Sequence, residues 1–408
     1  MYEQIYSYFQ KYFSPSLFGF RKGYNAQHCL TILIESWKKA IDNNKKAGAV
    51  LTDLSKAFDS LNHELLLAKL EAYGFDEPSL NFIHSYLTDR KQRTKVNNEV
   101  SSWATIDSGV PQGSILGPLL FNIYMNDIFW FTPEINIANY ADDSTPYTTS
   151  NDIETLLDIL QKNTVKLMQW FTENYMKSNN DKCHLIVSSP DDVSIEIGCN
   201  EIVNEKSVKL LGVIIDQKLN FCEHVTHLCR KASIKLHALA RISKYMTINK
   251  RRIIMKAFIE SQFGYCPLIW MFHNRTLNNR INKIHERALR LVYQDNTLTF
   301  SELLAKDNSF SIHHRNLQTL AIEMYKVKQN ISPQLMHNIF IKKDNIYNLR
   351  SEPIWEIRDV KSVYHGTESL SFRGPKTWDM LPDDIKKSES LREFVLKVKK
   401  VETRGLHM

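Results

Sequence analysis

Tyr140-Ala141-Asp142-Asp143 is the stretch on which the reading of this chain turns. An alternating apolar run (Ile135, Ile137) precedes it and a polar run, Ser144 to Ser150, follows, a pattern that predicts the tip of a short β-hairpin. Adjacent aspartates on such a tip repel each other and cost stability. A divalent metal is the usual reason for keeping them. Taken alone, the tetrapeptide fits a plain solvated turn equally well. The rest of the chain has to decide.

At 408 residues, 43% apolar and 24% charged, the chain can bury a full core, predicts two or three domains and is not disordered. The formal charge of +7 (52 Lys and Arg against 45 Asp and Glu) matters only if it is concentrated on one surface. Six cysteines are scattered without a C-x-x-C pair, which supports neither a disulfide framework nor a zinc knuckle and suits a reducing compartment. No apolar run approaches the roughly 18 to 20 residues of a membrane span, and no signal pattern opens the chain. The expectation is a soluble intracellular protein without a membrane partner.

Upstream of the hairpin, Gly48-Ala49-Val50-Leu51-Thr52-Asp53 is a short buried-strand run ending on a carboxylate. Asp53 fits either a functional acid or a helix cap, because Leu54 to Leu61 continues with helix-compatible residues. Amphipathic helices are predicted over Leu61 to Tyr73, stopped by Gly74, and over Leu80 to Leu87. The basic run Arg90 to Lys95 reads as a solvated edge or a nucleic-acid contact. Gly109-Val110-Pro111-Gln112-Gly113-Ser114 opens a helix, and its two glycines beside an amide suit either a tight turn or a substrate passing close to backbone. After the hairpin, Asn151 and Glu154 make a capping-box-like start to a long helix through Tyr175. Strand-like pieces follow at His184 to Ser188 and Val208 to Ile215.

Beyond them the composition shifts. From His224 to Ile259 there is no acid, while nine Lys and Arg residues, from Arg230 to Lys256, supply positive charge. A helical stretch that is basic without compensating acids matches a phosphate backbone better than a solvated face, which mixes both signs. Cys222, His224, His227 and Cys229 are zinc-compatible in type but do not share one helical face, so a zinc site is not expected. The last third, from Leu291 on, reads as mixed and mostly helical, with no arguable chemistry.

If the strands ending at Asp53 and Asp142 are neighbours, their carboxylates converge. Converged carboxylates suit a pair of Mg²⁺ ions about 3.5 to 4 Å apart, the arrangement for nucleotidyl transfer or phosphodiester cleavage. At this point the sequence resembles a family. Thr52-Asp53-Leu54-Ser55-Lys56-Ala57-Phe58-Asp59, Gly109 to Ser114, Tyr140 to Asp143 and Leu210-Leu211-Gly212-Val213 resemble, in this order, motifs A, B, C and E of reverse transcriptases, and most closely those of non-LTR, LINE-type retrotransposons.

The resemblance implies an α+β right-hand polymerase: partial fingers and an antiparallel palm over 1–215, a helical thumb-like domain over 216–290, and a mostly helical region of unknown role over 291–408. It implies that Asp53 and Asp142 hold two Mg²⁺ ions, with Asp143 assisting and Mn²⁺ as a substitute. Phe58 would be the steric gate against a 2′-hydroxyl. Gln112 and Gly113 would shape the nucleotide and template pocket, and Lys182 would be the general acid for the departing pyrophosphate. Leu211 and Gly212 would belong to the primer grip. The upstream fingers motif whose basic residues clamp the triphosphate is not in this sequence, so the chain reads as N-terminally truncated, with Arg21 and Lys22 as partial substitutes. The implied partners are an RNA template, a DNA primer, deoxynucleoside triphosphates and a separate endonuclease, in the nucleus. Two other readings stand beside this one. The first is an inactive polymerase-derived remnant that binds nucleic acid. The second is a two-metal nuclease, which would need neither Phe58 nor the Gln112 loop.

Overall fold

The computed structural model describes residues 1–343 and 354–401, so residues 344–353 and 402–408 of the expected C-terminal region lie outside the described residues. The chain divides into two compact units, Met1–Cys29 with Lys45–Glu205, and Leu30–Asn44 with Lys206–Met408.

The first unit is built on an antiparallel sheet of four strands: β1 (Lys46–Leu51), β2 (Asn136–Tyr140), β3 (Asp143–Ser150) and β4 (His184–Val187), in the spatial order β4-β1-β3-β2. The apolar run of β1 is buried from its second residue on, as a central strand requires. Helix Ile153–Glu173 lies over it with Leu156 and Leu160 inward. Gly48 permits this approach, since a Cβ there would stand 2.9 Å from the Leu160 Cδ1. The cap of that helix is Asp152, which accepts the Thr155 amide, and not Asn151; Asp152 stands three residues before that amide, the spacing an N-cap needs. Helix Gly117–Met125 is buried at Gly117 and at every position from Leu119 to Met125, as a helix that is apolar all round must be. The α+β class expected from the sequence is the one that forms.

Three local readings change. Leu54 to Leu61 is not a helix: Leu54–Ser55 pairs with Lys177–Ser178 and a 3-10 turn, Ala57–Asp59, follows Lys56 in the left-handed region. Val208 to Ile215 is not one strand but the hairpin Ser207–Leu210 and Val213–Asp216, turning at Leu211 and Gly212, whose φ of 45° and 82° suit a two-residue loop. A leucine at a positive φ disguises that turn. A further hairpin, Ser194–Ile197 with Asn200–Val203, escaped the sequence reading.

The second unit is largely helical, with Cys222–Ile242, Arg275–Tyr293 and Ile312–Lys328 as its longest helices beyond residue 206. Its core gathers Met324, Tyr325, Trp355, Trp378 and Phe394. Within this unit the helix segment 30–44 binds the described C-terminal residues by charge: Asp42 accepts the amides of Lys361 and Ser362 and pairs with Arg358 at 2.6 Å. Glu35 accepts the Leu370 and Ser371 amides, so it caps the helix Leu370–Asp379 from outside. None of the six cysteines forms a disulfide. Among the described residues no helix is long and apolar enough to cross a membrane.

A buried cluster in the second unit makes stability depend on pH. Burial alone would raise the Glu260 carboxyl, yet hydrogen bonds from His285 (3.1 Å) and Arg315 (2.6 Å) outweigh it and hold the group at about 2. Burial lowers the His285 imidazole and keeps it neutral in the fold. Both groups therefore bind protons more readily in the unfolded chain, and stability falls as the solution is acidified. The thermal midpoint is expected to start dropping as pH falls through 6.5 and to keep dropping below 4.5, the ordinary values of the two groups. Glu260→Gln should lower the midpoint at neutral pH and flatten the profile below 4.5; an unchanged profile, followed by circular dichroism, would contradict this.

Candidate active site

The register of β1 against β3 brings the acids together. Lys46 pairs with Ser150 and Ala49 with Tyr147, and the ladder runs on to a bridge between Thr52 and Ser144. Thr52 donates both its amide (3.3 Å) and its hydroxyl (2.7 Å) to the Ser144 carbonyl. One more step of this register sets Asp53 across from Asp143.

The turn that presents Asp142 is closed by the Tyr140–Asp143 pair and has only Ala141 and Asp142 at its tip. Ala141 sits at φ 57°, a left-handed conformation that costs a non-glycine residue about 1 kcal/mol. Its surroundings leave it no alternative. Asn139 donates its amide to the Ala141 carbonyl (3.1 Å) and to the Ser144 hydroxyl (2.9 Å). The chain from Ser16 to Gly19 runs alongside, with the Phe18 amide on the Asn139 carbonyl at 2.9 Å. Gly19 comes so close that a Cβ there would lie 2.5 Å from the Ala141 nitrogen, and Asn122 holds the Gly19 carbonyl at 2.8 Å. Asn139, Gly19 and Asn122 are site-building residues the sequence reading did not single out; an amide three residues before an Asp-Asp pair was the available signal.

The electrostatics follow from this crowding. Burial first, then the charges of Asp142 and Asp53, push the Asp143 carboxyl up to about 6. Lys182, at the end of the 3-10 turn Asn180–Lys182, lies 3.3 Å from the Asp53 Oδ2. Both partners are well exposed, so this pair is worth at most about 1 kcal/mol and releases easily.

Phe58 stacks on Phe121, ring centroids 4.3 Å apart, and meets Phe20 edge-on at 5.7 Å. The loop from Gly109 is pinned to the same turn: the Val110 amide donates to the Phe58 carbonyl (3.0 Å) and the Gln112 Nε2 to Asp59 Oδ1 (2.8 Å). Asp59 is thus a fourth site residue that sequence reasoning missed, although it closes the quoted Thr52–Asp59 stretch. Gly113 (φ 79°) is exposed, with nothing near its missing side chain. The acids, Lys182, Phe58, Gln112 and Gly113 all belong to the first unit.

Leu211 and Gly212 belong to the second. There Tyr265 donates its hydroxyl to the Leu211 carbonyl (2.7 Å) and lays its ring 3.2 Å from the Cβ position of Gly212. Arg21 is only 8% exposed, donates to the Ser14 (2.7 Å) and Leu17 (3.1 Å) carbonyls and stacks on Tyr24. Its guanidinium is committed to the chain from Ser14 to Leu17, and Lys22 is paired with Glu3. Of the basic segment, Arg251 is buried and Arg252 and Lys256 face the buried Asp307, whereas Arg230, Lys231, Arg241, Lys244 and Lys250 are exposed. His224 is buried, accepts the Ile214 amide and is lowered to about 4 by burial, the behaviour of a structural histidine.

An antiparallel sheet whose central strand ends on a carboxylate, beside a hairpin tip that carries two more, and with a Gly-Gln loop tied to the following turn, defines the palm of a template-directed nucleic-acid polymerase. Residues 1–215 match the family described as "Reverse transcriptase (RNA-dependent DNA polymerase)", and the chain belongs to that family. It is 28% identical over 290 residues to a probable RNA-directed DNA polymerase from transposon BS of Drosophila melanogaster, covering 67% of this chain and 32% of the relative. It is likewise 28% identical over 289 residues to the RNA-directed DNA polymerase from mobile element jockey of Drosophila funebris, covering 67% and 31%. The chain spans about a third of the length of these relatives. Among solved structures it is similar to a telomerase from Candida tropicalis, at 10% identity and a TM-score of 0.43 over 97% of this chain and 55% of that one.

Reverse transcriptases generally use divalent metal ions. Among the described residues no three His, Cys, Asp or Glu side chains form a ready-made cage. The donor set nevertheless fits Mg²⁺, which is held by one or two carboxylates together with substrate phosphates and waters more often than by an all-protein cage. Three mutually repelling carboxylates, all half-buried, are a charge that such an ion offsets.

Two glycines of the Gly109–Ser114 loop should respond differently to alanine. At Gly109 (φ 75°) a Cβ would stand 2.6 Å from the Asp59 Cα, so Gly109→Ala should cost about 3 kcal/mol and displace the Phe58 turn. Gly113→Ala meets no neighbour and should cost only about 1 kcal/mol, from its φ alone. Equal losses in chemical denaturation would show that the close approach at Gly109 is not felt.

Proposed function

We propose that the chain is the polymerase part of a non-LTR retrotransposon reverse transcriptase. It would copy an RNA template by adding deoxynucleotides to a DNA primer 3′-hydroxyl, with release of pyrophosphate. The observation that carries this reading is the Thr52–Ser144 register, which sets Asp53 across from Asp143 at the end of the sheet. Asp53, Asp142 and Asp143 would hold two Mg²⁺ ions, with Mn²⁺ as a substitute; such ions activate the attacking hydroxyl and stabilise charge on the leaving phosphates.

The chain's own residues do the rest. The Lys182 ammonium, released from Asp53, donates a proton to the departing pyrophosphate and becomes the neutral amine. The Phe58 ring, fixed by its stack on Phe121, offers bulk where a ribose 2′-hydroxyl would sit. Gln112 and Gly113, on an exposed loop braced by Asp59, pass close to the incoming nucleotide and its template partner. We assign residues 216–290 as the thumb, whose exposed cations from Arg230 to Lys250 follow the duplex backbone by charge. Leu211 and Gly212 contribute to the primer grip. Arg21, engaged with backbone carbonyls, is not assigned to the triphosphate. Its engagement favours a second reading, a remnant that binds nucleic acid without chemistry.

Primer extension on an RNA template with deoxynucleotides and Mg²⁺ separates the two. Extension is expected, and Asp142→Ala or Asp53→Ala should reduce it at least about 100-fold while template–primer binding persists. Extension retained in Asp142→Ala would sink the metal assignment, and binding without extension even with Mn²⁺ would select the remnant. Phe58→Val should raise ribonucleotide use relative to deoxynucleotide use; an unchanged ratio would remove Phe58 as the gate.

A further inference from the structure

The segment from Arg90 to Ile106 forms two stacked ladders, Arg90–Gln92 with Ala104–Ile106 and Lys95–Val96 with Glu99–Val100. Its root is rigid: the Arg90 guanidinium donates to the Leu87, Ser108 and Gly109 carbonyls, at 2.7, 3.2 and 2.5 Å, and so ties the hairpin to the start of the Gly109–Ser114 loop. Past that root the segment stands in solvent. Every residue from Lys91 to Thr105 is exposed, including Trp103 at 59% and Val96 at 63%.

Trp103 shares this segment with the exposed Val96 and Val100, and the indole offers a broad flat face to solvent. The Arg93 guanidinium lies 4.5 Å from its ring centroid, a cation–π pair that holds the indole flat and leaves it open to a second planar group. Lys91, Arg93 and Lys95 stand against the single acid Glu99 on this segment, and none of the three takes part in an ion pair among the described residues. An open indole, a stacked guanidinium and unpaired lysines along a ribbon that is tied down at its root match unpaired bases strung on phosphates.

We propose that the Arg90–Ile106 hairpin is a stacking platform for a single-stranded polynucleotide: Trp103 with Arg93 receives a base face, and Lys91 and Lys95 receive the flanking phosphates. The proposal rests on the polymerase reading and adds to it the surface that engages the strand while it is unpaired. A duplex is the wrong partner, because its bases are stacked on each other and offer no free face.

The test is fluorescence anisotropy of a labelled homopolymeric oligonucleotide, as RNA, as DNA and as duplex, with the full chain and no metal or nucleotides. Binding read this way does not depend on whether the chain extends a primer, so failure of the platform and failure of the polymerase reading are separate results. Trp103→Ala should weaken single-strand binding about tenfold, and Trp103→Phe should restore most of it, since a base stacks on either aromatic ring. Lys91→Ala and Lys95→Ala should each lower the salt slope by about 1. Trp130→Ala, which removes a tryptophan 62% exposed elsewhere in the same unit, should bind as the parent does. Unchanged single-strand binding in Trp103→Ala overturns the proposal. So does an equal loss on duplex, or a loss of self-association by sedimentation with RNA binding intact, which would make the face a contact between copies. Preference between the RNA and DNA arms tells which strand the platform serves, and tight binding in either arm that Trp103→Ala weakens supports it.

Discussion

Two hydrogen bonds from one threonine to one carbonyl determine where the acids of this protein stand. Each of the Thr52–Ser144 bonds is worth about 1 kcal/mol net, a small share of the stability of the unit. Their effect is on register. A slip of one residue between β1 and β3 would send Asp53 and Asp143 to opposite faces of the sheet. The side-chain bond helps exclude that slip, because Thr52 is the β-branched hydroxyl residue of the stretch and neither Leu51 nor Asp53 can donate in its place. The Asn139 and Gly19 contacts do the same for the turn, by confining Ala141 to a conformation it would not choose.

Much of this was legible in the sequence, and the reasons are specific. The strand before Asp53, the hairpin around Asp142 and the buried helix after Gly117 each carry a strong local pattern that agrees with its tertiary surroundings. Two of the readings that failed did so where the backbone takes positive φ at residues that do not advertise it. Lys56 and Leu211 are both left-handed, and only Gly212 beside Leu211 hinted at a turn. The supports of the site were illegible for another reason. Gly19 meets Ala141, and Asn122 meets Gly19, from distant parts of the chain, and no spacing rule relates them.

Charge tells a similar story. Nine cations in an acid-free stretch read as one surface, yet the fold withdraws Arg251 into the interior and sets Arg252 and Lys256 against Asp307, a residue about fifty positions downstream. Arg21, read as a ligand for phosphate, is withdrawn in the same way by the carbonyls of Ser14 and Leu17. Composition counts cations; only packing says which of them remain free to meet an anion. Lys182 shows the intermediate case, paired with Asp53 loosely enough to leave it.

The helix Ala26–Asp42 has a consequence for how the chain is made. Most of it belongs to the second unit, although the residues on either side of that stretch belong to the first. The amides that Glu35 and Asp42 accept come from Leu370 and Ser362, more than three hundred positions later. At a ribosomal rate of about 5–20 residues per second, those carboxylates leave the exit tunnel roughly 15 to 60 seconds before their partners exist. The strands that carry Asp53 and Asp142 emerge within that interval. The sheet of the first unit can therefore close while the helix that precedes β1 in the chain is still waiting for its charges to be answered, and a prematurely terminated message would leave it waiting permanently.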